Sequence, residues 1–173
     1  VGHSQTGTWQ GNHVIVNMLR SWIEIGMAPD LDAYLDLVPV DYTSQAIVQL
    51  AICEGSKASS VYHLNNSQSV SVREMVDWLI ECGYRIRRMP YQVWRNEMLK
   101  RGDIRRQAIL DSVGPLLALQ VSEDAEWLAH LPHYSNQYTQ QALNDLICPL
   151  VDATMFRTYV EYLKQSGSLP YTS

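Results

Sequence analysis

Four apolar stripes of helical period, each closed by a glycine, set most of what this chain can fold into. Ile15, Met18, Leu19, Trp22 and Ile23 recur at three- and four-residue spacing and stop at Gly26. A second run, Tyr42 to Cys53, stops at Gly55. Val72, Met75, Val76, Leu79 and Ile80 form a third stripe that ends at Gly83. Met155, Phe156, Tyr159, Val160 and Leu163 form the fourth, before Gly167. The starts are equally marked. Asn12, Asp41 and Asp152 are of the types that cap helix N-termini, and Ser71 with Glu74 has the spacing of a capping box. A glycine after the last turn supplies the left-handed residue that ends a helix cheaply.

Between the helices, Leu37–Val40, Ser60–Leu64 and Tyr84–Met89 read as short strands, the first limited to an edge by Pro39. Asn65-Asn66 is a turn pair, and Pro29-Asp30 begins a loop. From Pro90 onward the pattern is helical: Tyr91–Arg101, Ile104–Leu119, a short helix from a Thr139 cap to Ile147, and the last stripe. The predicted fold class is therefore α/β and mainly α-helical, with a βαβαβ order at the front and helices behind. At 173 residues and 46% hydrophobic content, the chain is the size of one domain with a sizeable core. Within it, residues 1–89 form an αβ part and 90–173 a helical part.

Several chemistries are excluded by what is missing. No strand–Gly-x-Gly-x-x-Gly–helix unit occurs, so a nucleotide-binding half is not in this chain. No run approaches the ~20 apolar residues that span a membrane. Cys53, Cys82 and Cys148 are odd in number and far apart, which points to a reducing, cytoplasmic setting rather than a disulfide framework. His130 and His133 are separated by a proline and have no third ligand near, so no metal site is expected.

Charge is concentrated. Net charge is −5, yet residues 84–106 hold eight basic groups against two acidic ones, among them Arg85, Arg87, Arg88, Arg95 and Arg101. Such a stretch reads either as a docking surface for an acidic partner or as a solvated helix face. Nucleic acid is disfavoured: the chain as a whole is acidic and shows no recognition motif.

The opening Gly2-His3-Ser4-Gln5-Thr6-Gly7 has the glycine spacing of a phosphate loop, but Thr8-Trp9 follows where Lys-Ser/Thr is required. Its polar side chains offer more donors and acceptors than a turn needs, as binding loops do. With Gly26-x-x-Pro29-Asp30, Val38-Pro39-Val40-Asp41-Tyr42-x-Ser44, Val61-Tyr62-His63-Leu64-Asn65-Asn66 and the closing Tyr159-Val160-Glu161-Tyr162-Leu163, this loop resembles the C-terminal part of thioester reductase domains. These are the NAD(P)H-dependent release domains of nonribosomal peptide and polyketide synthetases. The chain is also similar to α-aminoadipate reductases and, more distantly, to male-sterility-type fatty acyl reductases. Gly11-Asn12-His13 departs from the family, which more often has an acidic residue there.

The resemblance implies the C-terminal half of an extended short-chain dehydrogenase, lacking the glycine-rich Rossmann half. Val1 would correspond to the end of the strand that leads into the loop. The family's catalytic Tyr-x-x-x-Lys pair does not occur here, since Tyr34 is followed by Val38, Tyr91 by Arg95 and Tyr159 by Leu163. No catalytic residue is therefore expected in this chain, and by itself it should be inert. The implied cofactor is NADPH, bound mainly by the missing half, with Gly2, His3 and Ser4 beside it. Gln5, Thr6 and Trp9 would meet the substrate's phosphopantetheine arm, although Trp9 reads equally well as a core residue under the first helix. The implied partners are a phosphopantetheinylated carrier protein docking on the arginines and the Rossmann half, with no nucleic acid and no membrane. Unpaired strand edges would promote self-association of the isolated half. A docking module that reduces nothing is the alternative, and a nucleotide-sugar epimerase is a weaker third.

Overall fold

The computed structural model describes residues 1–52, 61–100 and 134–172. Cys53, Arg101, the predicted helix Ile104–Leu119 and the histidines at 130 and 133 lie outside them. Among the described residues ten elements follow in order: α1 (Val14–Ile25), β1 (Met27–Asp30), β2 (Tyr34–Leu35), α2 (Val40–Ile52), β3 (Val70–Ser71), α3 (Val72–Glu81), β4 (Arg87–Pro90), α4 (Tyr91–Lys100), α5 (Gln137–Leu143) and α6 (Ala153–Gln165). The described chain is thus mainly helical with a few short strands, as predicted.

Local sequence rules explain the best-formed helices. In α3 the Ser71 side chain accepts from the Glu74 N–H, while Glu74 accepts from the Ser71 N–H at 2.8 Å. Both halves of the capping box are present. Asp152 caps α6 by accepting from the Met155 N–H at 2.8 Å. Gly26 ends α1 at φ 71°, the left-handed conformation that a glycine adopts without strain. The cap of α1 is His13 rather than the predicted Asn12: its Nδ1 accepts from the Ile15 N–H at 3.2 Å. Burial holds the His13 imidazole below its usual pKa, which keeps the accepting nitrogen unprotonated.

The strands depart from expectation. Leu37–Val40 is no strand, because helix α2 begins at Val40. Residues 61–64 carry no regular structure. Instead Met27–Asp30, read from sequence as a helix end and a loop, pairs in parallel with Arg87–Pro90, and Tyr34–Leu35 pairs antiparallel with Val70–Ser71. The predicted βαβαβ order is accordingly replaced by two separate two-stranded ladders. Thr139 does not cap α5 either. It lies inside the helix, buried, and its Oγ1 donates to the His63 carbonyl at 2.9 Å.

The main core gathers α1, α3, α6 and the β1–β4 ladder. Leu19, Trp22, Met75, Leu79, Phe156, Tyr159 and Leu163 are almost wholly buried in it. Side chains of this size contribute about 1.5–3 kcal/mol each when fully buried. The chain end is drawn in by Arg20, whose Nε donates to the Ser168 carbonyl at 2.6 Å, and by Tyr84, whose hydroxyl donates to the Pro170 carbonyl at 2.7 Å. A second, smaller cluster of Tyr42, Ala46, Leu143 and Cys148 joins α2 to α5.

Candidate functional site

The opening loop is held in one shape by bonds that come from all sides. His3 N–H donates to the Thr8 carbonyl and Gly7 N–H to the His3 carbonyl, both at 3.0 Å, which closes residues 3–8 on themselves. Ser4 meets α2: its N–H donates to Asp41 Oδ1 at 2.8 Å and its hydroxyl to Asp41 Oδ2 at 2.6 Å. The Gly2 carbonyl accepts from the Tyr159 hydroxyl at 3.1 Å and from the Val40 N–H at 3.3 Å. Space demands the glycine at 7 and leaves little room for a side chain at 2. A Cβ on Gly7, at φ 72°, would stand 2.4 Å from the Thr158 carbonyl oxygen. One on Gly2 would stand 3.0 Å from Tyr159 Cε1.

Asp41 is therefore not the helix cap predicted for it. It lies within the first turn of α2, and its two oxygens take both donors of Ser4. Burial alone would raise its carboxyl pKa; the Ser4 bonds outweigh that and hold it below the usual carboxylate value. Sequence could not show this, because the partner is 37 residues away.

The loop then divides into spent and free groups. Ser4 has given both its donors to Asp41. His3 Nδ1 accepts from the Gln5 N–H at 3.2 Å, so the ring proton of the neutral form sits on Nε2. Gln5, Thr6 and Thr8 are exposed, but the Thr6 and Thr8 hydroxyls bond each other at 2.9 Å, so only the Gln5 side chain is uncommitted among them. Trp9 is 6% exposed and packs edge-on against Tyr159 at 5.1 Å between ring centroids, within the main core.

The predicted arginines lie apart from the loop in sequence. Arg85 and Arg87 are exposed and form no ion pair among the described residues. Arg88 is paired with Asp77 at 3.1 Å, and Arg95 is half-buried. Arg101 lies outside the described residues.

A feature not anticipated from sequence lies on the other face of the α2 start. There a cleft of about 280 Å³ is lined by Tyr42, Ser67, Asn136, Gln140, Asn144, Leu146, Ile147 and Cys148. Its walls are stapled. Asn66, buried, donates through Nδ2 to the carbonyls of Leu37 and Pro149, each at 3.0 Å. Gln49 of α2 donates to the Leu143 carbonyl at 2.9 Å. Burial, followed by Cys148, raises the Tyr42 pKa, so its hydroxyl keeps its proton. Burial, then Asp36 and Asp41, pushes the Cys148 thiol up to about 12, so it is no nucleophile. The recurrence of amides at Asn136, Gln140 and Asn144 was the available sequence signal; Gln140 lies in α5 and the two asparagines flank its ends. No group of metal-ligating side chains occurs among the described residues, and no described helix is long and apolar enough to cross a membrane.

No family model matches the chain. Individual proteins do. The chain is 29% identical to the isonitrile lipopeptide synthase of Streptomyces coeruleorubidus over 98% of its own length, spanning 12% of that protein. The terminal R domain from the myxalamid PKS-NRPS biosynthetic pathway superposes with a TM-score of 0.83 at 33% identity, over 100% of this chain and 43% of that one. A thiolation-reductase di-domain from an archaeal non-ribosomal peptide synthetase shares the fold, with a TM-score of 0.69 at 20% identity, over 96% of this chain and 34% of that one. The chain is thus of the mainly helical class that forms the C-terminal part of a reductase domain. More particularly, its relatives are the terminal reductase domains of nonribosomal peptide synthetases and the aminoadipate reductases.

Proposed function

We propose that this chain is the substrate-binding half of an NAD(P)H-dependent thioester reductase that releases a carrier-bound acyl or peptidyl chain as aldehyde or alcohol. The observation that carries the reading is the rigid Gly2–Gly7 loop, pinned to α2 by Asp41 and to α6 by Tyr159, in a chain similar along its whole length to terminal reductase domains.

In this reading each loop residue has a distinct task. Gly2 and Ser4, whose polar groups are largely spent internally, shape the loop. His3 keeps an Nε2–H donor for the cofactor's ribose or phosphate oxygens. Gln5 and Thr6, exposed at the crest, meet the amides of the phosphopantetheine arm. Trp9, being buried, supports the loop from beneath. When bound, NADPH would supply hydride to the thioester carbonyl; the acid that protonates the oxyanion comes from the Rossmann half, and cleavage of the C–S bond then frees the aldehyde and the carrier's thiol. Arg85 and Arg87 give an acidic carrier a docking surface, with steering that weakens as salt rises.

The test joins the chain to its upstream half and follows NADPH consumption with an acyl-pantetheine thioester. The joined protein should turn over and the 173 residues alone should not. Turnover by the chain alone, or none by the joined protein, would overturn the reading. Arg85 and Arg87, exposed and without an ion pair among the described residues, equally suit a module that docks a carrier and reduces nothing; absence of turnover with carrier binding retained would favour that second reading.

A further inference from the structure

We propose that the cleft between α2 and α5 is a recognition site for a secondary amide in the acyl group, that is, for a peptidyl or N-acyl-aminoacyl chain rather than a plain fatty acyl chain. The choice of substrate rests on the reductase reading above.

The chemistry of the lining carries the inference. Gln140 and Asn144 each bring a side-chain amide that makes no hydrogen bond among the described residues, while the Asn136 amide donates to the Asn65 carbonyl at 3.2 Å and retains its oxygen as an acceptor. Ser67 and Tyr42 add hydroxyls that likewise bond no described group. No described lining residue is charged. A neutral site with both donors and acceptors matches an amide, which has one N–H and one C=O, and has nothing to pair with a carboxylate or a phosphate. Leu146 and Ile147 supply apolar surface for the flanking carbons.

The volume agrees. About 280 Å³ would hold roughly nine waters at ~30 Å³ each, room for a short acylamino segment and not for a long chain. The walls are already in place before any ligand arrives, because Asn66 and Gln49 bond backbone carbonyls on both sides. Little ordering is then left to oppose binding. Position also fits. Asp41 holds the opening loop while Tyr42, the next residue, lines the cleft.

The experiment compares two pantetheine derivatives of equal length, one carrying an N-acetylglycyl group and the other a pentanoyl group, so that only the added amide differs. Binding to the chain is measured by calorimetry and by the side-chain amide resonances of Asn136, Gln140 and Asn144. The N-acetylglycyl probe should bind about five- to tenfold tighter, the worth of one or two net hydrogen bonds, and should shift those resonances. Gln140→Leu, at an exposed position, should erase the preference and leave pentanoyl binding unchanged; Tyr42→Phe serves as a second variant. Equal binding of the two probes, or a preference that survives both substitutions, would overturn the proposal. NADPH consumption by the joined protein separates the two readings. Turnover without amide preference removes the cleft assignment alone. Amide preference without turnover supports the cleft and removes the reductase reading.

Discussion

The two hydrophobic clusters of this molecule are built to different standards. Around α1, α3 and α6, each helix lays a full apolar stripe against the next, and side chains such as Leu79 and Phe156 are at most 1% exposed. Around α2 and α5 the cluster is small, and Ile47, Val48, Ile52 and Ile147 remain between 55% and 78% exposed. What holds α5 in place is mostly polar: Gln49 to Leu143, Thr139 to His63, Asn136 to Asn65. The first region derives its stability from area removed from water. The second derives its shape from directional bonds and leaves amides free to face a cleft. Packing density suits a scaffold, whereas fixed polar geometry suits recognition.

Substitutions can break this contrast at several points. Phe156→Ala should cost the most, about 3–5 kcal/mol, because it opens a cavity in the denser cluster. Leu143→Ala in the smaller cluster should fall at or below the low end of the 2–5 kcal/mol usual for leucine. Chemical denaturation of both variants checks this, and equal losses would erase the distinction. Gly7→Ala follows. A left-handed residue with a Cβ costs about 1–2 kcal/mol, and the Thr158 carbonyl adds a clash, so a loss of ~2 kcal/mol or more is expected in thermal unfolding.

Asp41→Asn probes the loop directly. The Asp41 carboxyl is held below its unfolded value, so its contribution is complete above the unfolded pKa of about 3.9 and disappears as pH falls through the lower folded value. Wild-type stability should fall on acidification in that window by an amount the variant does not show. At neutral pH the variant should lose about 1 kcal/mol, a discounted charge-assisted bond. Ser71→Ala removes half a capping box and should cost about 1 kcal/mol, read from denaturation midpoints. Ile47→Ser, on the exposed side of α2, should change stability by less than ~0.5 kcal/mol while reducing self-association in sedimentation.

Sequence and structure agree where information is local. The box of α3, its stripe apart from the exposed Ile80, the Asp152 cap and the glycine after α1 all lie within one helix length and are found as read. The strand read at Tyr84–Met89 overlaps Arg87–Pro90, but the other three strands were missed because each ladder spans only two or four residues, too short for alternation to show. Met27–Asp30 even contains a proline, and its pairing with Arg87–Pro90 is decided by neighbours 60 residues away. The Gly2–Gly7 loop was singled out by its polar, glycine-bounded composition, but its anchors were not legible. Ser4 meets Asp41, and Gly2 meets Tyr159 across 157 residues. Asp41 is of the right residue type for a cap, which is why the local rule chose the wrong partner. Asn65-Asn66 has turn composition, yet Asn66 is a buried staple between two distant carbonyls.

The adjacency of Asp41 and Tyr42 has a mechanical consequence. Successive residues of an α-helix are turned by about 100° from one another, so one step along α2 passes from the loop to the cleft. A single-residue insertion or deletion at the start of α2 would swing both side chains off target together. The two features are thus geared to one shaft. Grafting the loop from a relative without the first turn of α2 would misalign the cleft, and a designer who wishes to exchange one must carry the other with it.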